Sequence, residues 1–200
     1  MEASEASVDL YWIPLGAGAH VVRISGNVFE ALAALAGRRP RCDLYHSALV
    51  VRTPEGGFVV EQAPVLNLDG ASRGVVAEGP VGMRVLGHFR LFRYEVRRWR
   101  DGQIPDIRAA VGGPVRVSDS TTEARQLLDV LPTIPTPVWG RDQLATGEMW
   151  NSNSVVSWAL SRSGVDLSAI RPPAGGRAPG WHAGQVIAER SRISEEIGAP

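Results

Sequence analysis

The chain has 200 residues, of which 44% are hydrophobic, and its formal net charge at pH 7 is zero. This length and composition suit one globular domain with a sizeable core, and the balanced charge provides no overall field that would favour nucleic acid or an anionic membrane. All 21 basic residues are arginine, which excludes a catalytic lysine, and the single cysteine, Cys42, excludes an internal disulfide and every multi-cysteine metal site.

The first third of the chain is dominated by a predicted β-hairpin. Residues 1–7 are predicted to form a disordered tail, 8–15 a strand and 26–37 a helix. Two β-rich segments, 43–52 and 57–65, then flank a turn that contains proline and glycine, which is the pattern of a hairpin.

The remaining two thirds combine strands with three amphipathic helices. A short strand is predicted at 74–78, and strict alternation predicts a half-buried strand over 90–100 whose arginines face solvent. Helices are predicted from 118 to 130, from the 146–160 segment to about 163, and from 181 to 191 on a loosely held tail. This order predicts an α+β fold in which a small, mainly antiparallel sheet packs on helices, with a domain over 8–163 and a Pro/Gly/Arg-rich extension over 164–200.

The start of the helix after residue 150 is the first candidate site. Asn151, Ser152, Asn153 and Ser154 follow one another where side chains can cap free backbone amides. A helix N-terminus carries unpaired N–H groups and a partial positive charge, so it can stabilise an anion or a nucleophile that becomes one. A well-capped amphipathic helix without a further role explains the same residues.

His46, on the first hairpin strand, is the candidate base. Pairing position 50 with position 60 around the turn places His46 and Gln62 on one face as diagonal neighbours, and Glu61 on the other. An amide beside an imidazole can fix the tautomer that a catalytic base needs. Together with Ser152 these residues form a nucleophile–base–orienter set, although a structural histidine within a sheet is an equal alternative.

These motifs resemble the circularly permuted papain-like proteins, which include the PPPDE isopeptidases, the permuted NlpC-type hydrolases and the lecithin retinol acyltransferase group. The resemblance covers roughly residues 8–163 and rests on the segment around His46, on Gln62 and on the Trp150–Ser154 stretch. The chain is also similar to a set of actinobacterial proteins that share Gly-Glu-Met-Trp-Asn-Ser-Asn-Ser. The resemblance implies a papain-like fold and attack on an amide, ester or thioester carbonyl, with Ser152 as nucleophile, His46 as base and Gln62 as orienter.

The sequence departs from that family at the nucleophile, where Ser152 stands in place of cysteine. A thiol is partly ionised near neutral pH, whereas a serine hydroxyl needs a well-placed base. Three interpretations follow: a retuned Ser-His-Gln hydrolase or acyltransferase, a catalytically inactive pseudoenzyme that binds a peptide or acyl ligand in the same cleft, or a purely structural helix start. Cys42 lies about 13 Å from His46 at strand rise, too far to replace the serine, and is expected to be a buried, inert thiol.

Other residues around the motif are candidates for supporting roles at the same site. The Ser152 amide and Asn151 or Asn153 are candidate oxyanion donors, and Trp150 is a candidate cleft residue, whereas Trp158 is expected to pack in the core. Asp142 and Glu148 are expected to be solvated loop carboxylates. We expect a cytoplasmic protein with no cofactor, no metal, no nucleic-acid partner and no membrane span, because no apolar run reaches about 18 residues and the N-terminal residues lack a signal pattern.

Overall fold

The computed structural model describes residues 6–15, 42–65, 73–89, 92–104 and 106–198. The helix predicted at 26–37 lies outside these residues. Within them, the sheet and helices confirm the predicted α+β class, and no helix of this part of the chain is long and apolar enough to cross a membrane.

The described strands form one mainly antiparallel sheet. They are β1 (Ser7–Pro14), β2 (Asp43–Thr53), β3 (Gly56–Pro64), β4 (Val75–Pro80), β5 (Arg93–Arg100), β6 (Val115–Ser118) and β7 (Gly176–Arg177). Their order across the sheet is β4-β5-β3-β2-β1-β6, and β7 pairs with β2 in parallel. Strand β6, which the sequence did not predict, extends the sheet beyond β1.

Three α-helices are described: α1 (Thr121–Val130), α2 (Ser152–Arg162) and α3 (Trp181–Gly198). The Ser120 side chain accepts a hydrogen bond from the Glu123 amide, which confirms the predicted Ser/Thr-x-x-Glu start of α1. The helix begins at Thr121 and not at 118, because Ser118 ends β6. Its Ala124, Leu127 and Leu128 are buried, which confirms the predicted apolar stripe.

The two faces of the sheet belong to different apolar clusters. The inner face, which includes Leu49 and Val60, packs against helices α1, α2 and α3 in the main core. The outer face, which includes Ile13 and Val59, packs against Ile104 and neighbouring residues in a smaller cluster. Because side chains alternate along a strand, neighbours in sequence belong to different clusters.

Both predicted tails contribute to the core. Ala6 and Ser7 are buried and Ser7 opens β1, so the disordered tail predicted for 1–7 is wrong at its last two residues. Val165, Leu167, Ile187 and Ala188 belong to the main core cluster. The loose attachment predicted for the segment after residue 163 is therefore wrong for these residues, because burying their apolar side chains ties the segment to α2.

Strands β2 and β3 pair over only part of their length. The part of β2 that does not pair with β3 is where the start of helix α2 contacts the sheet. Their ladder runs from Thr53–Gly56 to Leu49–Val60, after which β3 continues beside β5 to Pro64. The remaining part of β2 pairs with β1 on one side, while β7 joins its other side at Asp43 and Leu44. Between β7 and the ladder, the backbone of β2 is open to partners other than β3.

Candidate functional site

Helix α2 begins with a complete capping box. The Asn151 side chain accepts hydrogen bonds from the backbone amides of Asn153 and Ser154, at 2.9 and 3.4 Å. In return, Ser154 Oγ accepts from the Asn151 amide at 3.1 Å. Donors that the first helical turn leaves unpaired are thus satisfied by side chains, which confirms the predicted capping role of this stretch.

Asn153 joins the start of the helix to the open part of β2. Its Nδ2 donates to the carbonyl oxygens of Tyr45 and Pro179, both at 2.9 Å. Its Oδ1 accepts a hydrogen bond from Ser47 Oγ, also at 2.9 Å. Every polar atom of this buried side chain is therefore bonded to the protein, so Asn153 positions the helix and its amide is not free to serve as an oxyanion donor.

The same polar stretch fastens the loop that precedes α3. Asn151 Nδ2 donates to the carbonyl of Pro179 at 2.8 Å, and Ser154 Oγ lies 2.8 Å from the carbonyl oxygen of Gly180. Gly180 has φ +86°, and a Cβ there would lie 2.6 Å from Asn151 Oδ1. The close packing therefore requires glycine at this position.

Ser152 differs from its three polar neighbours. It is the first residue of α2 and only 8% exposed. Within the described part of the chain its hydroxyl makes no hydrogen bond. Because capping is performed by Asn151 and Ser154, the Ser152 hydroxyl has no structural task in the cap.

His46 lies on the outer face of the sheet. Its cross-strand partner is Ile13, which belongs to the outer cluster. Burial lowers the pKa of the His46 imidazole below 6.5, and the negative charge of Asp106 opposes this shift. The ring makes no hydrogen bond to Ser152 or to any other described residue.

Gln62 lies on the inner face, so the predicted pairing of Gln62 with His46 is wrong. Its cross-strand partner is Val96 of the main core, and the β2–β3 ladder pairs Leu49, not Val50, with Val60. The turn has only Pro54 and Glu55 between the paired residues Thr53 and Gly56. A register shift of one residue moves every side chain of a strand to the other face, so Glu61, and not Gln62, shares a face with His46.

The Gln62 side chain has no hydrogen-bond partner in the core. The residue is 7% exposed, and both Nε2 and Oε1 are buried without a partner. A buried amide without partners is rare in folded proteins and costs about 1–3 kcal/mol. This signal was not visible in the sequence, since it depends on the register and on the packing of α2.

Two charged residues in the middle of β5, Glu95 and Arg97, are buried and not solvated as predicted. At the ends of the strand, Arg93 is half-buried and Arg100 is exposed. Arg97 bonds Glu61 at 3.1 Å and Glu95 at 2.9 Å, and all three side chains are largely shielded from solvent. Burial raises the pKa of Glu61, and Arg97 opposes that rise. The alternation predicted for 90–100 is correct for the strand, but its polar face forms part of a second packed layer.

The remaining residues singled out in the sequence are packed in the core or hydrogen-bonded to nearby backbone. Trp150 and Trp158 are both buried in the main core, as expected for Trp158. The cleft role predicted for Trp150 is wrong, because its side chain is packed in that core. The Asp142 carboxylate accepts hydrogen bonds from the amides of Thr146 and Gly147, which lowers its pKa, and Glu148 Oε2 accepts from the His182 amide at 3.2 Å. Cys42 is half-buried. No group of three potential ligands among the described residues is arranged to hold a metal ion.

No family model, curated protein or solved structure matches this chain. The resemblance to the permuted papain-like proteins therefore stays an expectation from the sequence motifs.

Proposed function

We propose that this chain binds an amide-bearing ligand, such as a peptide or an N-acyl chain, at the start of helix α2, and that it does not turn the ligand over. The observation that carries the proposal is the Gln62 amide, which is buried on the inner face with neither its donor nor its acceptor paired. The proposal corresponds to the inactive-pseudoenzyme alternative that the substitution of serine for cysteine suggests.

The chemistry of Gln62 indicates the class of ligand. A carboxamide offers two N–H donors and a carbonyl acceptor, and a peptide group offers the complementary acceptor and donor. Both amide atoms are shielded from solvent in the free protein, so binding requires the side chains that cover Gln62 to move aside. A ligand that then pairs both groups offsets the cost of their burial, which gives specificity for amides over hydrocarbons. Gln62 lies two residues beyond the end of the β2–β3 ladder, on the inner face of the sheet. On the same face, Ser47 donates a hydrogen bond to Asn153 at the start of α2. The Ser152 hydroxyl, which makes no hydrogen bond in the described part of the chain, lies at the start of the same helix.

The position of His46 supports binding over catalysis. A serine nucleophile needs a base within hydrogen-bond reach, typically 2.6–3.2 Å. His46 occupies the outer face and makes no hydrogen bond to Ser152 in the described part of the chain. An acyl-transfer reaction would therefore require another base or a rearrangement of β2.

Binding can be tested with N-acetylated tetrapeptide amides as probes. We expect the side-chain NH₂ resonances of Gln62 to shift on titration, and Gln62→Met to remove binding while the fold persists. If no peptide shifts these resonances, or if Gln62→Met binds as tightly as the wild type, the proposed site is wrong.

A second candidate is an acyl hydrolase with Ser152 as the nucleophile. It is supported by the free hydroxyl of Ser152 at the first position of α2, where the helix dipole and amides can stabilise a developing oxyanion. A fluorophosphonate probe distinguishes the two candidates. Labelling of Ser152 that Ser152→Ala abolishes would favour the hydrolase, whereas absence of labelling between about pH 6 and 9 favours the binding domain.

A further inference from the structure

The loop between β4 and β5 exposes a cluster of large apolar side chains. Met83 is 54% exposed, Val85 and Phe89 are each 64% exposed, and Phe92 is 38% exposed. We call these four residues the hairpin patch. Isolated exposed apolar residues are normal on a protein surface, but several within one loop mark an interaction site.

Backbone hydrogen bonds bring the members of the hairpin patch together. The Val81 amide donates to the carbonyl of Phe92 at 2.8 Å, and the Phe92 amide donates to the carbonyl of Phe89 at 2.9 Å. Met83 follows on a turn in which its amide donates to the carbonyl of Val81 at 2.8 Å. The four side chains therefore belong to one end of the edge hairpin and not to separate surfaces.

The base of this loop is held firmly. Val81 forms a bridge with Trp139, and Arg141 Nε donates to the carbonyl of Gly82 at 3.0 Å. A Cβ at Gly87 would lie 2.9 Å from Pro80 Cβ, so the 3₁₀ helix Arg84–His88 packs closely on the end of β4. These contacts hold the described residues 81–88 in place, which limits the entropy that the patch residues among them lose on binding.

The charge around the patch indicates its partner. Between positions 79 and 94 the sequence contains three arginines and no aspartate or glutamate, although the chain as a whole is neutral. Arg93 is paired with Glu78 at 2.9 Å, so among the described residues the positive charge beside the patch comes from Arg84. Arg84 is exposed between two patch residues and has no ion-pair partner among the described residues. Aromatic and aliphatic side chains beside a cation suit the boundary of an anionic bilayer, where the apolar groups enter the acyl region and Arg84 meets a lipid phosphate.

We propose that the hairpin patch docks this protein reversibly on an anionic membrane surface. The patch inserts Val85 and Phe89 below the headgroups, while Arg84 contacts phosphate. A bilayer accepts this array without the shape complementarity that a protein partner would require. This proposal is independent of ligand binding at α2, because it involves the edge hairpin and not the inner face near β2.

Co-sedimentation with sucrose-loaded vesicles tests the proposal. We expect the full chain to bind mixed phosphatidylcholine–phosphatidylglycerol vesicles more tightly than phosphatidylcholine vesicles, with a preference that weakens as salt is added. Val85→Ser combined with Phe89→Ser should reduce binding by at least about tenfold, because the inserted apolar area is lost. Arg84→Gln should reduce the preference for anionic vesicles.

Ile197→Ser is the matched control, because Ile197 is 80% exposed but lies at the other end of the described chain, outside the patch. It should bind vesicles like the wild type, and circular dichroism should show that all variants fold. The proposal is overturned if the wild type does not bind either kind of vesicle, or if the Val85/Phe89 double variant binds normally. It is also overturned if that double variant instead dissolves an oligomer of the chain, which would assign the patch to a protein interface.

Discussion

Asn153 Nδ2 donates a hydrogen bond to the backbone carbonyl of Tyr45 at 2.9 Å, and this bond takes the place of a strand partner for β2. The side chain of a helix residue thus completes a sheet edge where β3 has turned away. This hydrogen bond fixes the position of α2 along its axis and its rotation against the sheet. It therefore also fixes where Ser152 lies.

Replacement of Asn153 by alanine should therefore be strongly destabilising. The change removes bonds to Tyr45, Pro179 and Ser47 and leaves buried polar groups unpaired, at a cost of about 2–4 kcal/mol. Urea denaturation measures this free energy of unfolding. Ser47→Ala removes only one of these bonds and should cost about 1–2 kcal/mol; equal stability of Asn153→Ala and the wild type would show that the bonds make no net contribution.

Gln62→Met should stabilise the free protein. Methionine has a similar volume and removes a buried amide whose donor and acceptor are both unpaired, so the free energy of unfolding should rise by about 1–3 kcal/mol. Gln143→Met is the control, because Gln143 Oε1 accepts a hydrogen bond from the Val138 amide at 3.0 Å and its loss should not stabilise. A less stable Gln62→Met variant would mean that the amide has a partner and would remove the basis for the ligand site.

The titration of His46 should contribute to the pH dependence of stability. Burial lowers its pKa in the folded state below the unfolded value of 6.5, so the folded protein favours the neutral ring. This contribution is complete above pH 6.5 and is lost as the pH falls through the folded pKa. His46→Asn should remove this part of the pH dependence in thermal melts.

The same pKa can be measured directly by NMR of the imidazole protons. Asp106→Asn should lower the His46 pKa further, since the carboxylate favours the protonated ring. A His46 pKa above 6.5 in the wild type would contradict its burial on the outer face.

Gly184→Ala should disrupt the contact between α2 and α3. A methyl group at Gly184 would lie 2.1 Å from both the Ser154 carbonyl oxygen and Ser157 Oγ, so the helices would have to separate. We expect a loss of about 1–3 kcal/mol in the free energy of unfolding. At Gly198, in the same helix, a Cβ meets no described atom within 4 Å, and alanine there should be neutral or stabilise by up to about 1 kcal/mol.

The sequence predicted the elements of this fold better than their register. Alternation and turn residues located the β2–β3 hairpin within one or two residues, because these signals are local. The face of Gln62 was missed because a two-residue and a three-residue turn fit the same Pro-Glu-Gly-Gly sequence. One residue of register decides between them.

The candidate site was predictable only in part for a related physical reason. The capping role of Asn151 and Ser154 follows from local sequence and was found. The hydrogen bonds of Asn153 depend on Tyr45 and Pro179, which are distant along the chain. The burial of Arg97 depends on residues that pack over the outer face of the sheet. No local pattern carries such information, so the polar face of β5 was interpreted as solvated.

The loop before α3 affects how the chain folds during its synthesis. The partners that hold α2 at Asn151, Ser154 and Ser157 follow these residues by 28, 26 and 24 positions, respectively. During synthesis, α2 therefore emerges from the ribosome before the segment that covers it has emerged. Protein synthesis adds about 5–20 residues per second, so the apolar side chains of α2 stay uncovered for about a second or longer. The helix is covered only after Trp181 has emerged, so nascent chains that stall before that point expose the apolar face of α2 to chaperones or proteases.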